Sequence, residues 1–450
     1  MELPWNHDRW LRQPALTPHF ETMRAWFDLQ RVARVLAPMC PVADPLRRAT
    51  LVNVCYRPPQ RLGLVYALHC ASGVRRHATV DVRGDGPEPA PPPSAHRVGL
   101  DTSTAALAWL LPDDPADLPL ATLMAPAFTE RQLGRAVRTG SDALLSYLPG
   151  KRLTQRWSLA GAEAEAIVLK HHADAAAAHA RLQRLWSNPR RSFLMPQPLA
   201  CHAGHGVRWE TFVAGETVAA AAQRMETPAL VDRTMTALAD LHESDCARAS
   251  GFTAAAPLHT RALVLDRLGV TVLRRVLAAL PARADAVASR IEALVRWQAP
   301  ATPAQATLHG NLRTAKLLLT PAGELVLLDL GGLVRGEAAL DLARLGSELV
   351  LRSLLGQVDP RLAWSLATGL PAAYRQAVPQ RPGEHAEAIL ALPAHAFAQA
   401  YAWDLTALLL SLQLETCVRH AAPAMDGLCV ELVRLAGGML ADRGAAMLGN

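Results

Sequence analysis

The sequence predicts an α+β chain, with strands gathered in the N-terminal part and helices making up most of the chain beyond residue 217. Three observations carry this. Short apolar runs bounded by turn residues recur between 50 and 82, at Leu51 to Tyr56, Leu62 to Cys70 and Ala78 to Val82, with the length and spacing of strands. Half of the 450 residues are apolar, largely alanine and leucine, and only 5% are aromatic, a composition that favours helix. Within the helical part, Leu317–Leu319 and Leu325 to Leu328 flank Pro321-Ala322-Gly323 and read as a hairpin.

The first forty residues read as helical, with Trp26, Phe27, Leu29, Val32, Val35 and Leu36 roughly on one face. The strands come next. Gly84 to Ser94 is rich in proline and predicts an exposed loop of polyproline character. A short repeat then appears: Tyr56-Arg57-Pro58-Pro59-Gln60-Arg61-Leu62 recurs as Tyr147-Leu148-Pro149-Gly150-Lys151-Arg152-Leu153. Each copy lies between two apolar runs and reads as a hairpin turn. Trp109-Leu110-Leu111-Pro112-Asp113-Asp114-Pro115 stands between the copies. The second copy leads into Ala164 to Lys170, a strand ending in lysine, and a helix over Ala173 to Trp186. Val207 to Thr211 reads as another strand, closed by Phe212-Val213-Ala214-Gly215. Helical patterning dominates beyond it, including Ala237 to His242.

Composition excludes several classes. The net charge of +6 comes mostly from scattered arginines without a basic run, so no nucleic-acid surface is expected. Seven cysteines (40, 55, 70, 201, 246, 417 and 429) show neither a CxxC pair nor zinc-ligand spacing, which predicts reduced, mostly buried thiols. Met1 to Trp10 has neither a basic start nor an apolar core, and Leu405 to Leu414 is too short to span a bilayer. The expectation is a cytoplasmic protein without membrane contact. His171-His172 and His202/His205 have no third ligand in view and predict solvated histidines. No GxSxG, HExxH or GxxxxGK[ST] pattern occurs.

The chemistry-bearing segment is 308–345. His309-Gly310-Asn311 precedes the hairpin, Asp329-Leu330-Gly331 comes after it, and Asp341-Leu342-Ala343 begins ten residues past that glycine. This order and spacing resembles the catalytic segment of the aminoglycoside phosphotransferases and of related maltokinase-like and choline-kinase-like enzymes. The repeat around Tyr56 and Tyr147 resembles the maltokinase-like branch, which carries an N-terminal cap. The resemblance implies a two-lobed protein-kinase-like fold: a mixed α/β cap with its helical segment (1–140), a small lobe with hinge (141–216), and a mostly helical large lobe (217–450).

It also implies roles for particular residues. Lys170 would bind nucleotide phosphates; Gly150, Lys151 and Arg152 would form the hairpin over them; Glu210 would offer its backbone to the base. His309 would support the catalytic loop and Asp329 would bind magnesium. Arg335 and Asp341 would brace the loop around His309. ATP or another nucleotide, with Mg2+, is the implied cofactor, beside a small-molecule acceptor. Two positions depart from the pattern. Asn311 stands where the family has its catalytic aspartate, and Lys316 where it has a metal-binding Asn or Gln. An amide takes no proton, and an ammonium offers a metal no lone pair. General-base and orienting roles are worth about a hundredfold to ten-thousandfold in rate. The helix after Lys170 also lacks the glutamate that would hold that lysine. Three readings are open: a nucleotide-binding pseudokinase or strongly impaired kinase, working beside a partner enzyme; an active kinase for a sugar, aminoglycoside or natural-product hydroxyl; or a structural protein without nucleotide. Trp364, Tyr374, Tyr401, Trp403 and Asp404 line an acceptor pocket or belong to the core.

Overall fold

A computed structural model describes residues 25–57, 61–83, 91–100, 105–115, 118–138, 140, 143–161, 165–188, 191–222, 227–244, 258–259, 281–297, 305–354 and 357–420. The chain divides into two compact units, and the helices and sheets of each are taken separately. The first holds 1–176 with 199–212 and 418–424; the second holds 177–198, 213–417 and 425–450. Most of the proline-rich stretch and the turn residues Pro58 to Gln60 lie outside the described residues.

The first unit contains two five-stranded sheets of the same strand order. β1 (Leu46–Arg57), β2 (Arg61–Cys70), β3 (Arg75–Arg83), β4 (His96–Gly99) and β5 (Ala105–Leu110) lie in the order β1-β2-β3-β5-β4. β6 (Ala143–Leu148), β7 (Arg152–Ser158), β8 (Ala166–His171), β9 (Pro198–His202) and β10 (Val207–Thr211) repeat it as β6-β7-β8-β10-β9. The repeated tyrosine and leucine hold the same place in both: Tyr56 pairs Leu62 across one hairpin, and Tyr147 pairs Leu153 across the other. The short repeat therefore marks a repeated sheet topology.

Alternation sets the packing. Leu64, Tyr66 and Leu68 of β2 face Trp26, Phe27 and the buried side of α1 (Leu29–Leu36), which Asp28 caps through the backbone N–H groups of Gln30 and Arg31. Val65, on the other face of β2, joins the core beneath the second sheet with Phe128 of α2 (Pro126–Leu133), Trp157, Leu169 and Trp209. Removing one such fully buried side chain from water contributes roughly 1.5–3 kcal/mol.

The second unit carries α4 (Thr227–Glu243), α5 (Pro281–Arg296), α6 (Ala338–Leu354), α7 (Pro360–Ala377), α8 (Glu384–Ala391) and α9 (Ala394–His420), with α3 (Ala175–Trp186) running into it from the first. Two small sheets are set among them. β11 (Glu216–Thr217), β14 (Leu317–Leu319) and β15 (Leu325–Leu327) form one; β12 (Leu258–His259), β13 (Ala306–Leu308) and β16 (Val334–Gly336) form the other. Tyr374, Tyr401, Trp403 and Asp404 are buried core, with the Tyr401 hydroxyl donating to the Ala367 carbonyl and Trp403 Nε1 to that of Leu294. Among the described residues, no helix is long and apolar enough to cross a membrane.

Candidate functional site

In the first unit, β8 and β10 are paired so that Lys170 lies opposite Arg208, with Glu210 two residues along on the same face. The opposite face holds Leu169, Val207 and Trp209 in the core. Lys170 Nζ lies 2.6 Å from Glu210 Oε1, and Arg208 binds the other carboxylate oxygen. Burial pushes the Glu210 carboxyl up, but the Lys170 and Arg208 cations outweigh it and hold the group below the ordinary carboxylate value. Sequence reasoning assigned Glu210 only a backbone task and found no acid on the helix for Lys170. The structure supplies that acid from β10. Two cations share one carboxylate, and only the lysine keeps some exposure, at 15% of its side chain.

The β6–β7 turn carries Gly150, Lys151 and Arg152, with Gly150 at φ +71° and both basic residues exposed. Asp114, from the segment between the two sheets, is buried beneath it. Its Oδ2 accepts from the Gly150 N–H at 2.9 Å and from the Tyr147 hydroxyl. Asn53 Nδ2 of β1 donates to the Tyr147 carbonyl at 2.6 Å. Sequence reasoning assigned Asp114 and Asn53 no role, because each acts on a hairpin far along the chain.

The histidines differ from expectation. His171 is buried, and His172 is only partly exposed. Burial first, and then Arg208, lower His172 to about 4. The His202 and His205 rings stack at 4.7 Å, and both contact the edge of Phe128. No group of three or more metal-ligating side chains occurs among the described residues.

In the second unit, His309, Gly310 and Asn311 come directly after β13, and Asp329 shortly after β15. One carboxylate organises the loop. Asp341, fully buried on α6, accepts from the His309 N–H at 2.6 Å and the Gly310 N–H at 3.0 Å. His242 Nε2 lies 3.4 Å from the same carboxylate, and its Nδ1 lies 2.7 Å from the Tyr374 hydroxyl. Burial pushes Asp341 up, but its hydrogen bond and attraction to His242, then His309 and Arg344, bring it below the usual value. Gly310 has φ +75°, and a Cβ there would stand 2.9 Å from Val334 Cγ2, so the position demands glycine. His309 Nε2 donates to the Leu328 carbonyl at 2.9 Å, which brings the two loops together. Arg335 contributes its backbone to β16; its buried Nε has no hydrogen-bond partner among the described residues. Asn311 itself is exposed.

Hairpin register decides the rest. Leu317 pairs Leu327, and the Leu328 N–H donates to the Lys316 carbonyl at 2.9 Å, so Lys316 is held beside the strand end that leads into Asp329. Lys316 Nζ then lies 2.5 Å from Asp329 Oδ2. Asp329 has φ +63°, the single non-glycine with positive φ among the described residues. Such a conformation is strained for a residue with a side chain and concentrates at functional positions. Arg181 supports the turn through the Gly331 carbonyl at 2.9 Å. Glu348 accepts from the Thr314 N–H and hydroxyl at 2.5 and 3.1 Å, fixing the turn before Lys316. Mg2+ wants one or two free carboxylates with octahedral oxygen donors. The Asp329 carboxylate already bears the Lys316 ammonium, and no group of three or more metal-ligating side chains surrounds it among the described residues, which does not fit that ion.

Residues 151–377 match the family described as APH, the phosphotransferase enzyme family. No curated protein matches the chain in sequence. Solved structures with likeness include choline kinase from Cryptosporidium parvum Iowa II, at 11% identity over 74% of this chain and 95% of that one, TM-score 0.45. A spectinomycin phosphotransferase in complex with ADP and spectinomycin has 9% identity over 72% and 98%, TM-score 0.45. Macrolide 2'-phosphotransferase from Brachybacterium faecium has 16% over 70% and 97%, TM-score 0.40. The family assignment rests on the sequence match and not on these likenesses.

Proposed function

The chain belongs to the phosphotransferase enzyme family, with its protein-kinase-like α+β fold, and within that family we propose that it is a nucleotide-binding member with little or no phosphoryl transfer. The observation that carries this reading is the contact of Lys316 Nζ with Asp329 Oδ2 at 2.5 Å. The one carboxylate assigned to magnesium from the sequence is neutralised by a cation of the chain itself. Lys316 then acts as a fixed replacement for a divalent ion, and nucleotide binding needs no added metal.

Lys170, held by Glu210, would meet nucleotide phosphates, and Lys151 and Arg152 would add positive charge from the turn that Asp114 anchors. Asn311 would hydrogen-bond an acceptor hydroxyl but accept no proton from it. The retained Asp341 bonds keep the loop in shape after its acid has gone, which suits a binding protein that works beside another enzyme. The region 1–140 is proposed as a cap added ahead of the matched region.

The test is titration of the full chain with ATP, ADP and GTP, with Mg2+ and with a chelator. Expected are dissociation constants that agree within about threefold between the two conditions. No binding at millimolar nucleotide would leave only a structural role. An active kinase is the second reading, favoured by the intact brace on His309. Turnover of a hydroxylated acceptor at about 1–100 per second would establish it in place of the first.

A further inference from the structure

We propose that Cys40 and Cys70 are an oxidation site, a thiol pair that peroxide converts to a disulfide joining the helical arm before β1 to the end of β2. The two Sγ atoms already lie 3.7 Å apart in the core of the first sheet. A disulfide needs about 2.05 Å, so closure is a matter of side-chain rotation over a short distance. The approach is built into the backbone around it. Cys40 ends the turn after α1, with its N–H on the Ala37 carbonyl at 3.0 Å. Cys70 ends β2 and donates its N–H to the Val74 carbonyl at 3.0 Å.

A second set of bonds clamps the same two segments. The Asp44 carboxylate accepts from the Ser72 N–H and hydroxyl, both at 2.8 Å, and the Ala71 N–H donates to the Pro45 carbonyl at 2.9 Å. Neither cysteine can drift away without breaking these bonds.

The chemistry balances with hydrogen peroxide as oxidant. One thiolate attacks the O–O bond, giving a sulfenic acid and, after protonation, water. The second thiol attacks that sulfur; the S–S bond forms, the S–O bond breaks, and a second water leaves. Two thiols lose two electrons to one peroxide. The reaction is slow, because burial first, and then the hydrogen bond and charge of Cys70, push the Cys40 thiol up to about 11 and leave little thiolate. Burial admits a small peroxide more readily than a bulky disulfide.

The test uses the full reduced chain, exposed to hydrogen peroxide over hours and then alkylated after unfolding. Non-reducing peptide mapping should show the Cys40 and Cys70 peptides joined, about 2 Da below the sum of the reduced masses. Closing a loop across a 30-residue separation should raise the melting midpoint by about 5 °C. Dithiothreitol should reverse the gain, and Cys40→Ala and Cys70→Ala should each abolish it. Recovery of both cysteines alkylated, as sulfinic acids, or joined to other cysteines would overturn the proposal, as would oxidation of half-buried Cys201 while the pair stays reduced. None of these outcomes depends on nucleotide binding.

Discussion

Among single residues, Lys316 and Asn311 carry the functional reading, and both were legible in the sequence. The pairing of Lys316 with Asp329 was not. Lys316 meets Asp329 because hairpin register places them together, and register is a tertiary fact even when the turn is visible. Replacing Lys316→Asn should free Asp329, so that magnesium strengthens nucleotide binding in the variant by about tenfold or more, one power of ten being about 1.4 kcal/mol. Calorimetric titration with and without Mg2+ reads this directly, and a variant still indifferent to magnesium would remove Lys316 from the argument. Adding Asn311→Asp should raise ATP consumption above either single change, because acid and metal position serve one transition state and act non-additively. Equal rates in the single and double variants would show that the loop is not the limiting defect.

Among the strands and helices, the strand runs and the hairpin before Asp329 were legible from apolar patterning and turn residues, with ends displaced by a few positions. The contacts that hold them were not, since Asp114 reaches Gly150 across 36 residues and Glu210 reaches Lys170 across two strands. The repeated topology is instructive here. Register places Asp81 and Leu107 of the first sheet where the second has Lys170 and Arg208, so at that position the second sheet presents paired cations and the first does not. Its turn depends on Asp114. Asp114→Ala leaves the Gly150 N–H and the buried Tyr147 hydroxyl without that acceptor, which should cost about 1–3 kcal/mol. A urea titration should show the midpoint falling accordingly, and an unchanged midpoint would mean that water replaces the carboxylate at no cost. Glu210→Gln should cost more, about 3–5 kcal/mol, because Arg208 is only 1% exposed and would lose its charged partner.

Across the molecule, ionisable groups in both units bias stability in one direction with pH. Glu210 in the first unit and Asp341 in the second have folded values below the ordinary 4.5 and 3.8. Each favours the folded state above its ordinary value, and that contribution disappears as pH falls through the folded value. His172 adds to this by a different route. Its folded value of about 4 lies below the ordinary 6.5, so on acidification the unfolded chain takes up a proton first. Stability therefore falls between about 6.5 and 4 on account of His172, and below about 4.5 on account of the carboxylates. Sequence patterning predicted His172 to be solvated and could not have foreseen this, since its shift comes from burial and from Arg208 across the strand pair. Differential scanning fluorimetry from pH 8 to 3.5 should show the melting midpoint falling in two stages. His172→Gln should reduce the upper stage, to which His171 and His69, also lowered by burial, contribute as well, and leave the lower one, which belongs to Glu210 and Asp341. If the variant keeps the full slope between 6.5 and 4.5, the upper stage belongs to other histidines, and burial of His172 is not what makes the chain acid-sensitive.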